Sequence, residues 1–229
     1  MITWDEEFSH RYDTWSADMS ADIAFYVDLA RQVNGPIVEL AVGNARVAIP
    51  VAQATGQTVI GVDTSPAMLE QARTKAANAN VELDLREGDM RDLALEQPAS
   101  FIYCPARALL HLPTWADRRR TFERVAASLQ PGGRFAWNAF AFDHQIAVRL
   151  DGEHQDQPTP HTNRYFVGDN RIDITLDSGA KSSLWWATKN EWFGLIDVAG
   201  LELEALHGGF AGQPFDDDSH EYVFVARRP

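Results

Sequence analysis

Ile37-Val38-Glu39-Leu40-Ala41-Val42-Gly43-Asn44-Ala45-Arg46 is the stretch on which the reading of this chain turns. Its first four residues make a short apolar run of strand length, and small residues follow where the pattern changes to a helix over 47–54. A glycine at such a turn lets the backbone approach a ligand closely, and the helix beyond it offers free N–H groups to an anion. One turn of this kind is weak evidence, because a tight turn with no ligand needs the same residue. Its weight comes from what surrounds it.

Upstream, residues 21–33 carry Ile23, Phe25, Tyr26, Val27, Leu29 and Val33 and read as a largely buried helix stopped by Asn34-Gly35-Pro36. Downstream, apolar strands at 58–62, 81–85, 101–103 and 134–137 alternate with helices at 66–79 and 114–129. Ser65-Pro66 opens the first of these helices and Gln130-Pro131-Gly132-Gly133 closes the second. Alternation of this kind, with strands apolar on both faces, predicts an α/β fold with a doubly wound, Rossmann-like, mostly parallel sheet. Ligands of such sheets bind beyond the carboxyl ends of the strands.

The pattern changes after residue 140. Residues 143–161 are polar and read as a loop, and 165–167, 172–176 and 184–186 read as antiparallel strands joined by turns at 168–170 and 177–179. A helix over 190–199 and strands at 201–206 and 221–225 bring the main sheet to seven strands, with an antiparallel β insertion after strand five. The expected organisation is one domain over 1–229: a helical cap at 1–35, a core at 36–140, a lid at 141–187 and a closing segment at 188–229.

The chain has 229 residues and a formal net charge of -13, which opposes the phosphate attraction behind most nucleic-acid binding. The charge is uneven, with 18 acidic and 13 basic side chains in residues 1–140 against 15 and 7 in 141–229. If the excess carboxylates of the second part face a pocket, a neutral or cationic substrate is favoured over an anionic one. A single cysteine, Cys104, leaves no internal disulfide or cysteine-based zinc cluster. No metal site is expected, since the spacing of His144, His161 and Asp143 matches no known ligand pattern. With no apolar run of about 18 residues and an acidic start, the expected location is the cytoplasm, without membrane contact. Nothing in the sequence chooses between a monomer and a homodimer.

The strand ends carry the chemistry. Asp63 closes Gly61-Val62-Asp63, 20 residues after Gly43, the offset at which a carboxylate receives the hydroxyls of a nucleoside ribose. Glu87-Gly88-Asp89-Met90 follows the third strand and offers a carboxylate and a thioether to an adenine amino group and face. Each acidic residue alone also suits a helix cap, and their shared edge is what favours a ligand.

On these residues the chain resembles the class I S-adenosylmethionine-dependent methyltransferases, in particular bacterial small-molecule members, over nearly its full length. Residues 39–46 match the glycine-rich motif, Asp63 the ribose-binding acid, Gly88-Asp89-Met90 the adenine motif, and Leu129-Gln130-Pro131-Gly132-Gly133-Arg134 the turn before strand five. The resemblance implies S-adenosylmethionine as cofactor, with contacts at Tyr12, Glu39, Ala41, Gly43, Asp63, Thr64, Asp89, Met90 and Cys104. Ala41 and Ala45 replace the two outer glycines of the motif, and alanine disfavours the positive φ glycine allows. A start like His10-Arg11-Tyr12-Asp13 implies that Tyr12 hydrogen-bonds the methionine carboxylate, with helix packing as its other reading. Cys104 is either at the cofactor's edge or a small buried hydrophobe.

Methyl transfer to a small-molecule acceptor, at oxygen, nitrogen or carbon, needs mainly alignment and exclusion of water, with a base only where the nucleophile must lose a proton. His111, after strand four, is the candidate base, or else positions the cap at Thr114. Arg107, Tyr165 and Trp185 are candidate substrate contacts, with at most one of Trp185 and Trp186 facing inward because neighbours on a strand point oppositely. Two other readings remain open. Gly43 and Asp63 also fit an NAD-dependent oxidoreductase, although Arg46 stands where its third glycine belongs, and the two alanines leave room for a non-catalytic cofactor-binding regulator.

Overall fold

Strand β1 (Ile37–Leu40) is buried along its whole length, with Ile37 apolar on one face, Val38 and Leu40 on the other, and Glu39 its one polar side chain. The computed structural model describes residues 12–14, 16 and 20–229, so His10 and Arg11 lie outside the described residues. In the sheet, β1 lies between β2 (Val59–Asp63) and β4 (Ala99–Cys104), and β3 (Leu83–Glu87) follows β2. On the other side β4 leads to β5 (Leu129–Phe140), then β11 (Glu221–Arg227) and β10 (Glu202–His207). The first five strands run parallel, and β11 is antiparallel to both of its neighbours. Strand order reverses between β1 and β4, which opens a crevice at their carboxyl ends.

Helices cover both faces. On one side lie α1 (Ala21–Ala30), α2 (Ala48–Thr55) and α3 (Pro66–Asn78), the last begun by Ser65, whose side chain accepts from the Met68 N–H. On this side Tyr26 stacks on Tyr103 and Tyr103 on Phe101, each pair with ring centres 5.2 Å apart. The opposite face holds Phe122 of α4 (Trp115–Ser128), Phe135, Trp137, Phe224 and Trp192, all without solvent exposure. Trp137 stacks on Phe224 at 4.8 Å. Gly61 marks where the sheet and first loop meet most closely, since a Cβ there would lie 2.8 Å from Val42 and 2.9 Å from Leu85.

Several boundaries differ from the sequence expectation. The first helix stops at Ala30, and β3 begins two residues later than its apolar start because Val81 instead packs at the end of α3. Strand β5 runs over twelve residues through its proline and glycines, with a register shift against β4. Residues 143–161 are not simply a loop: Asp143 accepts from the N–H groups of Gln145 and Ile146 and starts α5 (His144–Leu150), and β6 (His154–Gln155) follows. The antiparallel lid is a four-stranded sheet in the order β6, β7 (His161–Phe166), β8 (Arg171–Leu176), β9 (Lys181–Trp185). Helix α6 (Lys189–Val198), begun by a capping box between Thr188 and Glu191, returns the chain to the main sheet. Among the described residues no helix is long and apolar enough to cross a membrane.

Candidate active site

The loop after β1 holds Ala41, Gly43 and Ala45 at φ 52°, 54° and 64°, three left-handed residues at alternate positions. The alanines therefore do not change the backbone path that glycines would take; they take it at a strain of roughly 1 kcal/mol or more each. A side chain built at Gly43 would meet nothing within 4 Å among the described residues, which leave open space above it. Ala45 recovers part of its strain through its methyl group, which is fully buried, whereas Ala41 is only partly covered. Ala41→Gly is expected to raise the free energy of unfolding by about 1 kcal/mol in urea titration, and Ala45→Gly to change it little because a buried methyl is lost.

Asp63 ties this loop to the next helix. One carboxylate oxygen accepts from the Gly43 N–H at 2.7 Å and the other from the Ser65 N–H at 2.8 Å. A carboxylate oxygen has two lone pairs, so accepting from one backbone N–H does not exhaust it. Thr64 beside it is exposed.

Behind the loop lies Glu39, 1% exposed, with the Tyr103 hydroxyl donating to it at 2.7 Å. Burial raises its carboxyl to about 8, against the lowering by Tyr103 and by the charge of Arg46. Arg46 is held by Asp22 through two hydrogen bonds of 2.8 and 2.6 Å, and it also interacts with the Tyr12 phenol. The fold thus favours the protonated form of Glu39, and that contribution is complete below the unfolded value near 4.5 and lost as pH rises toward 8. In the cofactor-free protein, Glu39→Gln is expected to melt higher than wild type above pH 8, by roughly 5 °C, with a flatter pH dependence of its melting temperature between 5 and 8.

At the third strand end, Asp89 accepts from the Arg91 backbone at 2.8 Å and from its guanidinium at 2.5 and 3.0 Å, and Arg91 reaches on to Asp117 at 2.9 Å. These bonds hold the Asp89 carboxyl below its ordinary value. Much of its accepting capacity is therefore already used. Met90 is half-buried against the core.

At the fourth strand end, Cys104 is fully buried in the core, and burial pushes its thiol up, so its side chain is a small hydrophobe and not an exposed group at a ligand's edge. Ala106 and Arg107 follow at φ 56° and 62°. Arg107 donates to Glu221 at 2.6 to 3.2 Å, and Glu221 also accepts from Asn138 at 2.6 Å. Tyr26 donates to the other end of the Asn138 amide at 3.1 Å. The cation expected to meet a substrate thus already has a carboxylate partner.

Between this edge and the lid lies a cavity of about 470 Å³, and its lining includes Tyr12, Arg107, His111 and Tyr165. Phe140, Phe142, Ile146, Ile172, Ile174 and Leu184 make most of its wall apolar. Trp185 lies outside this lining and its carbonyl accepts from Arg118, while Trp186 is buried and stacks on Phe142 at 4.1 Å. Leu184 takes the inward position expected of Trp185, because β9 ends one residue earlier and its alternation runs through 182 and 184. His111 is exposed and opens onto the cavity, and the protein packed beside it lowers its imidazole from the ordinary 6.5 by desolvation, against the raising effect of a backbone hydrogen bond with Ser183. No group of three His, Cys, Asp or Glu side chains able to hold a metal is present among the described residues.

Asn138, Glu221 and Asp22 are parts of this edge that the sequence reading did not single out, and Arg46 was noted there only for standing in place of a third glycine. Asn138 had a signal, as the one amide inside the apolar run 135–140. Glu221 had none, since only the pairing of β11 with β5 carries it there.

Residues 37–133 match the profile of the family described as methyltransferase domain. The cypemycin N-terminal methyltransferase of a Streptomyces species is 25% identical over 98% of this chain and 97% of that protein. The CcbJ methyltransferase from Streptomyces caelestis superimposes over 99% of this chain and 98% of its own, with a TM-score of 0.81 and 26% identity. These likenesses support a class I S-adenosylmethionine-dependent methyltransferase. CalS10 from Micromonospora echinaspora, an amino pentose methyltransferase with the cofactor bound, shares the fold of this chain at a TM-score of 0.69 and 22% identity over 93% of this chain and 91% of its own. The residues present suit S-adenosylmethionine: among the described residues the space above Gly43 admits a ligand, and the Asp63 carboxylate beside it suits ribose hydroxyls. Neither the nicotinamide reading nor the non-catalytic reading gains any support.

Proposed function

We propose that this methyltransferase acts on an amine nitrogen of a small, largely apolar molecule held in the lid cavity, with His111 as the base. The observation that carries the reading is the cavity itself. About 470 Å³ of mostly apolar space lies between the lid and the carboxyl edge of the sheet, and a histidine kept neutral at pH 7 opens onto it.

Bound S-adenosylmethionine supplies a methyl carbon on a positively charged sulfur, already activated toward a nucleophile. The chain's own residues do the rest. Asp63 would receive the ribose hydroxyls while keeping the Gly43 loop in place, Glu39 would support that loop from its buried side, and Tyr12 would hydrogen-bond the carboxylate end. Asp89, with Arg91 already on it, would contribute less than Met90, whose thioether would face the adenine ring. The lid and the aromatic residues Phe140, Phe142 and Tyr165 exclude water and fix the acceptor's orientation. The acceptor enters as an ammonium and gives a proton to His111, which leaves the acceptor nitrogen with the lone pair that methyl transfer would need. A base with an imidazole below 6.5 is unprotonated and ready at neutral pH.

The charges of the cavity fit a neutral or cationic guest. Asp143 is in its lining, and Arg107, the cation there, is neutralised by Glu221. The name of the cypemycin relative, an N-terminal methyltransferase, supports nitrogen as the acceptor atom. The test is release of S-adenosylhomocysteine with matched acceptors: benzylamine and N-methylbenzylamine are expected to support turnover and benzyl alcohol is not. Turnover with the alcohol alone would contradict the reading.

A further inference from the structure

The register of the lid sheet sorts its inner face into rows. Tyr165 pairs with Ile172 and Ile172 with Leu184, while Asn163 pairs with Ile174 and Ile174 with Ser182. All six line the cavity, so two rows of side chains cross three strands on the face that looks into it. The first row is apolar except for the Tyr165 hydroxyl. The second sets a carboxamide and a hydroxyl on either side of Ile174, and Asn163 and Ser182 are each only 7% exposed. Burying polar side chains in a wall that hydrophobes could fill costs stability unless something hydrogen-bonds them.

The partners of Asn163 set the direction of its hydrogen bonds. The Thr159 carbonyl can only accept, so His161 Nδ1, 2.7 Å away, carries a hydrogen toward it, and in that tautomer Nε2 is an acceptor. Asn163 Nδ2 lies 3.4 Å from that ring and donates to Nε2, which leaves the other end of the amide as a pure acceptor. That oxygen, Oδ1, has no donor among the described residues and is shut off from bulk water. A buried acceptor without a donor costs stability. Asn163 lines the cavity, so a small turn of the amide brings this oxygen to a donor on a guest there.

Resting on the reading of this cavity as the acceptor site, we infer that Asn163 determines specificity, and that the acceptor carries a second N–H or O–H donor besides the methylated nitrogen. His111 interacts with Ser183 of β9, and Asn163 lies two strands away, roughly 10 Å at the usual spacing. The substrate class is therefore an apolar-bodied amine with a hydroxyl or amide N–H toward its far end. Sites built to hydrogen-bond such a group reject analogues that lack it far more strongly than apolar pockets reject a change of size.

The test uses phenol and toluene, two probes of one shape of which only phenol donates, titrated calorimetrically into the full chain saturated with S-adenosylhomocysteine. The preference for phenol over toluene is expected to fall about tenfold from wild type to Asn163→Leu, with homocysteine-product affinity unchanged and a melting temperature no lower than wild type. The double comparison cancels the different hydration of the probes. Should Asn163→Leu fail to fold, Asn163→Ala carries the same comparison. An equal preference in wild type and variant, or no binding of either probe to wild type, overturns the inference. A chain that methylates amines yet shows no Asn163-dependent preference keeps the proposed function and loses this inference; the opposite pair of results does the reverse.

Discussion

Asp63→Ala is expected to weaken binding of S-adenosylhomocysteine by about a hundredfold or more in calorimetry. The carboxylate accepts from two backbone donors, the N–H of Gly43 at 2.7 Å and that of Ser65 at 2.8 Å, besides any hydroxyls it receives. Hydrogen bonds to a charged group contribute about 1.5–3 kcal/mol each, and losing 2.7 kcal/mol is a factor of about 100. The loop holds three left-handed residues, two of them strained alanines, so removing the bond at Gly43 frees a segment that already favours another conformation. The cofactor-free melting temperature falls with the affinity, because the entry to α3 loses its link to β2. Asp63→Asn separates the roles: it keeps one acceptor, and its affinity is expected between the two. Unchanged affinity in Asp63→Ala would remove Asp63 from the cofactor site.

His111→Ala is expected to lower kcat for amine methylation by roughly a hundredfold to a thousandfold, with affinity for S-adenosylhomocysteine unchanged. In wild type, kcat/KM rises with pH to a plateau whose midpoint lies below 6.5 as the imidazole loses its proton, since desolvation holds this group down. The variant loses that step, and added imidazole restores part of the rate. His111→Gln, which keeps size and hydrogen bonding but accepts no proton, is expected to be as slow as His111→Ala. A fast Gln variant would make His111 a positioning group for the lid strand it touches and not the base.

The parts of this enzyme that were legible in the sequence are those governed by local physics. A four-residue strand buried on both faces, a serine and a proline opening a helix, and an acidic residue 20 positions beyond Gly43 each state their place directly. Ala41 and Ala45 were legible as departures but not in effect, because whether an alanine accepts positive φ depends on the packing around the whole loop. The lid was harder. Its polar start hid a short helix capped by Asp143, and the choice of Leu184 over Trp185 for the inner face depended on a one-residue difference in where β9 ends. Cys104 faces the core because its strand alternates Phe101 and Tyr103 to one side and Ile102 and Cys104 to the other. Arg107 looked like a free cation at a strand end until β11 brought Glu221 to it, a pairing across 114 residues.

The central claim is methyl transfer to nitrogen within the lid cavity, and one measurement meets it most directly. The full chain is incubated with S-adenosylmethionine bearing a trideuterated methyl group and a mixed library of apolar primary and secondary amines, alcohols and carboxylic acids, and the products are read by mass spectrometry with fragmentation. The label is expected on the nitrogen of amines, most strongly on those with a second hydroxyl or amide donor. Label found on oxygen or carbon and not on nitrogen would contradict the account.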